Sequence, residues 1–336
     1  MKIGFLISKR NVSMSEFELF NLLNYFKLNY KLIKKIRNFY IFEIENIENK
    51  NNLIKKKLKK IIELSGFIKK IDLIYEYFSS IKKIKTFDWN NIIKKEYKIK
   101  AININRKKKS TNTENNPKII KSAIDSIWYT LNNPKVNMKS DFTINLYYDY
   151  KYYIFTNNLY ENSIIESKIN SPHSIKDYLT KFMITSSLND INNNPIDVKI
   201  MDPFCGTGKI VYFSKKLGFN AKGYDIDKKI INTSKELYGN LNIENKNSFE
   251  LKKLNKCIIT DPPYFKNTKG DIKNYKQFYF DFLKLLNKDE VESIVFILIK
   301  NFKLDFKLLN KFKLVKKIEI FIHKSMIRVL YIFKKK

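Results

Sequence analysis

The stretch VKIMDPFCGTGKIVYFSKKLGFNAKGYDI, residues 198 to 226, decides the fold of this 336-residue chain. A short apolar run is followed by a loop with two glycines, a helical segment and a second strand-like run that ends in an acid. The alternation continues with helix DKKIINTSKELYGNL, strand KCIIT, helix KNYKQFYFDFLKLL and strand SIVFILI. Strands and helices that alternate at this spacing predict a doubly wound, mostly parallel sheet. The last segments, FKLVKKIEIFI and MIRVLYIF, predict a hairpin at the sheet edge.

Five of the chain's eight glycines fall between residues 206 and 239. Gly206 and Gly208 lie between a predicted strand and a predicted helix, where glycine permits a tight turn and lets a ligand approach the amides of the helix N-terminus. Asp225 ends the next strand, 23 residues after Asp202. A carboxylate at that place accepts the hydroxyl hydrogens of a ribose. The combination predicts a cofactor that carries a nucleoside.

Dinucleotides and nucleoside triphosphates fit this loop poorly. Val211 stands where the dinucleotide fingerprint has its third glycine, and Lys209 is followed by Ile210 rather than by the serine or threonine of a P-loop. Asp202 would repel a pyrophosphate but would pair with a cationic amino group. We therefore expect S-adenosylmethionine, whose sulfonium and ammonium groups are positive.

Two of the chain's seven prolines are adjacent in TDPPYF, residues 260 to 265, directly after the predicted strand KCIIT. Asp261 and the Pro262 carbonyl offer two acceptors for the hydrogens of an exocyclic amino group, and Tyr264 offers a ring on which a base can stack. Held in this way, the nitrogen lone pair faces a methyl donor for in-line displacement. Each motif also has a non-functional interpretation: Asp-Pro-Pro as a simple turn, DPFCGTG as a helix cap and Asp225 as a surface acid. The occurrence of all three in this order at predicted strand ends disfavours these alternatives.

The N-terminal half has a different texture. KIGFLIS, FYIFEIE and GFIKKIDLIY predict strands, while residues 15–26 and 52–64 predict helices, an α+β order. Residues 105–118 predict an exposed loop, either a solvated linker or a phosphate contact. An aromatic stripe follows, which either lines a half-buried sheet or stacks bases: Tyr147, Tyr148, Tyr150, Tyr152 and Tyr153.

The chain carries 65 basic and 33 acidic residues, a net charge of +32, which favours an anionic polymer as partner. The enrichment in lysine, asparagine and isoleucine, with only four arginines, also matches a genome-wide nucleotide bias. No apolar stretch is long enough to cross a bilayer, so we expect a soluble protein of the cytoplasm. We also expect it to be a monomer. Two cysteines and two histidines are too few and too scattered for a zinc motif, and we expect no metal.

Three short motifs, MDPFCGTG, GYDID and TDPPY, resemble motifs I, II and IV of Rossmann-fold amino-methyltransferases that act on nucleobases. More narrowly, the whole chain is similar to the archaeal-type tRNA guanine-10 N2-methyltransferases. PHSIKDYLTKFM resembles the helix before motif I of that family, and HKSMIRVLYIF resembles its terminal strand pair. The resemblance implies four regions: a ferredoxin-like domain at 1–80, a tRNA-binding THUMP domain at 81–158, a linker at 159–170 and a Rossmann-fold methyltransferase domain at 171–336.

The resemblance also implies an activity, the S-adenosylmethionine-dependent mono- or dimethylation of N2 of guanine 10 in tRNA. By the same resemblance, the target guanine is held by Asp261, Pro262 and Tyr264. The implied cofactor site consists of Asp202, Phe204, Gly206, Gly208, Asp225, Ile226, Asn247 and Asp261. The chain departs from the family at three positions: Asn247 replaces an acid, Lys209 a small residue and Phe265 a glycine.

Other functions remain open: guanine methylation elsewhere in tRNA or in rRNA, N6-adenine methylation, and RNA binding without catalysis. The adenine enzyme is disfavoured because the 72 residues after Tyr264 are needed to complete the sheet. Intact Asp261, Pro262 and Tyr264 argue against the non-catalytic alternative. We interpret the remaining chemically active residues as follows: His173 and His323 as structural or RNA-contacting, Cys205 as a small filler, and Arg328 as either a phosphate contact or an edge-strand surface residue.

Overall fold

The computed structural model describes residues 1–45, 51–93, 96–104, 117–131, 135–149, 151–163, 174–188, 198–264, 272–300, 304–323 and 326–336. The chain forms two compact units. The first comprises Met1–Glu16, Leu28–Ile62 and Phe67–Ser163, and the second comprises Phe17–Lys27, Glu63–Gly66 and Ile164–Lys336. In the described part of the chain, no helix is long and apolar enough to cross a membrane.

The first unit contains a seven-stranded sheet. Its strands are β1 (Lys2–Ile7), β2 (Tyr30–Ile36), β3 (Phe39–Ile44), β4 (Ile68–Phe78), β5 (Lys98–Asn103), β6 (Thr143–Asp149) and β7 (Tyr152–Glu161). They lie in the order β2-β3-β1-β4-β7-β6-β5, and every pair is antiparallel except β5 and β6. The helices of the N-terminal half are α1 (Val12–Tyr25), α2 (Asn51–Leu64), α3 (Ile81–Lys85) and α4 (Pro117–Trp128).

Within residues 1–80, the three predicted strands and two predicted helices are present, with one addition. Strand β2 was not apparent in the sequence, because its run YKLIKKI is rich in lysine and lacks a clear alternation. It lies at the edge of the sheet, where lysine side chains protect the open backbone from pairing with another chain. The predicted boundary at residue 80 falls inside this sheet, since β4 pairs with β7 from Lys70↔Glu161 to Phe78↔Tyr153.

The aromatic stripe of β6 and β7 belongs to the core. Tyr147 is fully buried, and Tyr148 and Tyr153 are 9% and 7% exposed. Tyr148 and Tyr153 pack in one apolar cluster around Trp89, and Tyr147 packs in another with Phe39. These three rings therefore line the sheet, as the first of the two interpretations predicts, while Tyr150 lies outside the described residues.

The second unit contains the doubly wound sheet that the sequence predicts. Its strands are β8 (Lys199–Asp202), β9 (Asn220–Asp225), β10 (Ile243–Asn245), β11 (Cys257–Thr260), β12 (Ser293–Ile299), β13 (Phe312–His323) and β14 (Met326–Lys335). Their order is β10-β9-β8-β11-β12-β14-β13; the first five pair in parallel, and β14 pairs antiparallel with both β12 and β13. The helices that follow residue 164 are α5 (Asp177–Ser187), α6 (Lys209–Lys216), α7 (Lys228–Tyr238) and α8 (Ile272–Leu286).

The predicted C-terminal hairpin is confirmed, since β13 and β14 pair from Phe312↔Lys335 to His323↔Met326. Strand β12 is buried along its whole length, as expected for a strand covered on both faces. Its residues share an apolar cluster with Tyr279 and Phe282 of α8. This packing fixes the central strands, and with them the loops at their carboxyl ends.

The second unit also includes residues from the beginning of the chain. Glu18 of α1 is 1% exposed, and its carboxylate accepts hydrogen bonds from the Gly66 amide at 3.0 Å and the Thr185 hydroxyl at 2.9 Å. The Ser65 hydroxyl donates to the same carboxylate. Lys181 lies on the same helix as Thr185, and burial lowers its pKa while Glu18 opposes that shift. A buried charge is tolerated when such partners satisfy it, so these early residues are part of this unit's core.

Candidate active site

Three acids mark the carboxyl edge of the second sheet. Asp202 ends β8, Asp225 ends β9 and Asp261 directly follows β11. Because these strands are parallel neighbours, their carboxyl ends lie at one edge, and β8 pairs with both β9 and β11. Ligands of doubly wound sheets bind in the crevice outside this edge.

The glycine loop, residues 203–208, joins β8 to α6. Gly206 and Gly208 have φ angles of 51° and 81°, the left-handed region that favours glycine. A Cβ atom on Gly208 would lie 2.5 Å from Cδ1 of Ile243 and 2.8 Å from Oγ of Ser234, so a side chain there would collide with its neighbours. A Cβ on Gly206 would meet no atom within 4 Å. The loop therefore packs tightly at Gly208 and leaves open space beside Gly206.

Asp225 is oriented by backbone amides. Its Oδ2 accepts from the Gly206 amide at 2.8 Å, and its Oδ1 accepts from the Asp227 amide at 2.9 Å. Each carboxylate oxygen can accept more than one hydrogen bond, so acceptor capacity remains for a ligand. The carboxylate thus connects the end of β9 to the glycine loop, and its predicted contact with a ribose stays a prediction.

Apolar side chains are exposed at the same edge. Ile226 follows Asp225 and is 72% exposed, which is unusual for an isoleucine next to a strand end. Phe249 is 37% exposed, and its ring lies 5.8 Å from that of Phe204 and 5.3 Å from that of Phe278. The sequence analysis did not predict a role for Phe249, although an aromatic residue in the polar stretch NKNSFE could have indicated an exposed ring at the site.

Asn247, predicted to contact adenine, caps a short 3-10 helix (Ser248–Glu250). Its Oδ1 accepts from the Phe249 amide at 3.1 Å, and its Nδ2 donates to Oε1 of Glu250 at 3.1 Å. The side chain therefore positions the segment that carries Phe249. Its predicted contact with a cofactor stays a prediction.

Asp202 lies beneath the glycine loop. It is 2% exposed, and its Oδ1 accepts from the Phe204 amide at 3.2 Å. Burial raises its pKa to about 7; the Thr260 hydroxyl and the Phe204 amide oppose that shift, while the neighbouring Asp261 and Asp225 add to it. In this structure the side chain braces the first turn of the loop, close to where the sequence predicts the methionine part of the cofactor.

Lys209, which departs from the family pattern, is buried at the start of α6. Its Nζ forms an ion pair with Oδ1 of Asp177 at 2.7 Å and donates to Oγ of Ser174 at 3.3 Å and to the Ile175 carbonyl. The larger side chain therefore ties the glycine loop to the beginning of α5. That tie accounts for a lysine where a small residue was expected.

The loop after β11 brings Asp261 and Tyr264 together. The Tyr264 hydroxyl donates to Oδ1 of Asp261, and the Tyr279 hydroxyl of α8 donates to the Pro263 carbonyl at 2.8 Å. The side chain of Asp261 is 19% exposed, and Pro262 is buried. Burial raises the pKa of Asp261 to about 7, although the positive charge of Arg328 opposes that shift. An acid in this state is poised to change its charge near neutral pH.

The remaining candidates differ in their surroundings. Cys205 is 7% exposed and burial raises the pKa of its thiol, as expected for a packing residue rather than a nucleophile. Arg328 is 5% exposed, so its interpretation as a surface residue is wrong. His323 is exposed at the end of β13, whereas His173 and Phe265 lie outside the described residues. Within the described ranges, no three metal-ligating side chains come together.

The doubly wound sheet, its glycine loop and its Asp-Pro-Pro-Tyr loop define a Rossmann-like methyltransferase. TrmN from Thermus thermophilus has a similar fold, with a TM-score of 0.50, 11% sequence identity and full coverage of both chains. At that identity the likeness concerns the fold alone.

Two curated relatives share sequence with the chain, whereas no family model matches it. A Methanothermococcus thermolithotrophicus protein named "Probable tRNA (guanine(10)-N2)-dimethyltransferase" is 30% identical over 158 residues, which span 40% of this chain and 88% of the relative. The tRNA (guanine(10)-N2)-dimethyltransferase of Methanothermobacter thermautotrophicus is 25% identical over 41% of this chain and 44% of its own length. The chain belongs to this family of tRNA (guanine-N2)-dimethyltransferases.

Proposed function

We propose that this protein transfers a methyl group from S-adenosylmethionine to the exocyclic amino group, N2, of a guanine in tRNA. The observation that carries the proposal is the placement of Asp261, at the end of β11, beside the strand β8 that leads into the glycine loop. An acceptor for an amino group and a site for a cofactor thus lie at one sheet edge. The names of the two curated relatives support the choice of tRNA and guanine.

The residues at this edge fit S-adenosylmethionine. Gly206 leaves open space where a Cβ would stand, and its amide is already directed to Asp225. Asp225 would accept from the ribose hydroxyls, and Ile226 and Phe249 expose apolar surface suited to an adenine. When bound, the cofactor supplies an electrophilic methyl group.

The chain's own residues hold the amine. Asp261 and the Pro262 carbonyl accept its two hydrogens, and the ring of Tyr264 stacks on the base. With both hydrogens held, the nitrogen lone pair is directed towards the methyl donor, so catalysis consists mainly of positioning and of stabilising the charge that develops on nitrogen. The methylated amine then loses a proton to Asp261 or to water.

Transfer to tRNA is tested with isotopically labelled cofactor and an unmodified tRNA transcript. After digestion, we expect label in N2-methylguanosine or N2,N2-dimethylguanosine, separated by mass spectrometry. A time course distinguishes one methyl group from two. Label in N6-methyladenosine, or in no nucleoside at all, would count against the proposal.

The target is guanine 10, and residues 81–158 act as a THUMP domain that binds tRNA in this cytoplasmic, monomeric enzyme. Support comes from the sequence resemblance and from the relatives' names. A transcript in which adenine replaces guanine 10 should take up no label, while its affinity for the protein stays that of the unchanged transcript. Undiminished labelling of this transcript would move the target to another nucleotide and leave the chemistry intact.

A further inference from the structure

Arg328 is buried at the catalytic edge of the second sheet. It lies on β14, opposite Ile299 of β12 and Ile320 of β13. Strand β12 is aligned with β11 through Phe296 and Thr260, so Ile299 lies three residues further towards the carboxyl edge. The register therefore places Arg328 level with the loop that follows β11.

The guanidinium of Arg328 contacts two residues of that loop. Its Nη1 lies 3.6 Å from Oδ2 of Asp261, and its central carbon lies 5.3 Å from the centre of the Tyr264 ring. The Tyr264 hydroxyl donates to the other oxygen, Oδ1. Asp261, Tyr264 and Arg328 thus form a closed group in which the two carboxylate oxygens have different partners.

The two partners are not equally easy to displace. Arg328 is 5% exposed and is confined by two neighbouring strands. Tyr264 is attached to an irregular loop, and turning its ring outward to stack on a base would free Oδ1. Oδ1 is therefore the oxygen that becomes available to an incoming amino group, while Oδ2 stays bound to Arg328.

We propose that Arg328 is a positioning residue for the reaction: it holds Oδ2 of Asp261 in place, so that Oδ1 accepts the hydrogen of the target amine once the Tyr264 ring has turned to stack on the base. This inference rests on the proposed function. Other groups act on Asp261 as well, namely the Tyr264 hydroxyl from its own loop, Tyr279 from α8 and Asp202 from the end of β8. Of these, Arg328 alone carries a positive charge.

The charge of Arg328 has a consequence that can be measured. An opposite charge close to a carboxylate lowers its pKa by about 1–3 units. Removing the guanidinium should therefore raise the pKa of Asp261 further above the value of about 7 that burial gives it in the intact protein. Because the ionised carboxylate is the form that accepts the amine, the acidic limb of the pH profile should move to higher pH.

The test compares full-length Arg328→Met and Arg328→Lys with wild type, using kcat and KM for tRNA from acid to alkaline pH. In Arg328→Met we expect the acidic limb to rise by about one pH unit or more, with kcat partly recovered at alkaline pH. Arg37→Met serves as the matched control, because Arg37 also pairs with an aspartate, Asp149 at 3.5 Å, in the first unit. If the acidic limb of Arg328→Met coincides with that of wild type, or if kcat of this variant is reduced equally at every pH, the proposal is wrong.

Arg328→Lys separates charge from shape. Lysine keeps the positive charge but lacks the flat guanidinium that lies over Tyr264. We expect the limb to stay near its wild-type position while kcat falls about tenfold or more, in keeping with the loss of positioning. Wild-type kcat in this variant contradicts the proposal, and the result stands even if Arg328→Met fails to fold.

A failure of the proposed methyltransferase function can be distinguished from a failure of the role proposed for Arg328. If wild type labels no guanine in tRNA, the proposed function is wrong, and the role of Arg328 is then read from Asp261 itself. A carbon-13 NMR titration of the aspartate carboxyls, with S-adenosylmethionine present and Asp261→Asn used for assignment, should show a higher pKa for Asp261 in Arg328→Met than in wild type, and a pKa close to that of wild type in Arg328→Lys. Equal titration in wild type and Arg328→Met excludes the positioning role.

Discussion

Two loops leave the carboxyl edge of the second sheet from neighbouring strands, and each begins with an aspartate whose pKa burial raises to about 7. Asp202 is 2% exposed and is bound by a backbone amide of its own loop. Asp261 keeps 19% of its side chain exposed and is bound by side chains, those of Tyr264 and Arg328. The Phe204 amide fixes the shape of the glycine loop, whereas Tyr264 lies on an irregular loop and can turn away from Asp261, so equal positions on the sheet support different tasks.

The largest effect on activity is expected from a substitution in the loop that carries Asp261 and Tyr264. Asp261→Asn replaces one acceptor oxygen by a donor and removes the charge, and should lower kcat by about 10²- to 10³-fold. Cofactor affinity, measured by calorimetry, should fall much less than kcat, because the glycine loop and Asp225 are intact. Asp289→Asn is the matched control, since the Asp289 side chain is 85% exposed in a surface pair with Lys311. Wild-type turnover in Asp261→Asn would remove the distinction between the two loops.

A backbone change in the glycine loop should mainly cost stability. Gly208→Ala forces a side chain into a left-handed residue, at about 1–2 kcal/mol, and into collision with Ile243 and Ser234, at about 1–3 kcal/mol more. Gly206→Ala carries the first cost without the second, because its surroundings are open. Denaturant unfolding of both variants should rank Gly208→Ala as the less stable. The reverse order would show that the tight packing at Gly208 is unimportant.

The difference between the two loops can be tested further by removing the buried Asp202. Asp202→Ala leaves the Phe204 amide without its acceptor, which costs about 1–3 kcal/mol. We expect a lower free energy of unfolding and weaker cofactor binding, with kcat at saturating cofactor reduced less than in Asp261→Asn. A kcat loss as large as that of Asp261→Asn would place both aspartates in the same role.

The smallest expected effect is on the pH dependence of stability. Ordinary aspartates lose their protons near pH ~4, whereas Asp202 and Asp261 in the folded protein keep them up to about 7. Between those values the folded state binds more protons than the unfolded state, so these two groups make stability fall as pH rises. Activity should rise over the same range as Asp261 ionises. In Asp202→Asn the fall of the melting temperature with pH should be shallower than in wild type, and an equal slope would contradict this assignment.

The sheet and its two loops could be predicted because their signals are local. Glycines after a strand, an acid at the end of the next strand and adjacent prolines each constrain the backbone within a few residues. Arg328 could not be placed in this way. It lies 67 residues after Asp261 and reaches it only through the antiparallel turn of β14, so its burial depends on strand order. The ion pair of Lys209 could not be predicted for a similar reason, since its partner Asp177 precedes it by 32 residues.

The contribution of residues 17–27 and 63–66 to the second unit has a practical outcome for dissecting the protein. A C-terminal fragment that starts at residue 164 would contain both loops of the candidate site but would lack Glu18, the acceptor for the Thr185 hydroxyl. Expression of such a fragment should give a poorly soluble product, and supplying the missing N-terminal segment as a separate polypeptide should rescue it. Gene truncation is therefore an unsuitable way to ask what each half does, and point substitutions in the intact chain are preferable.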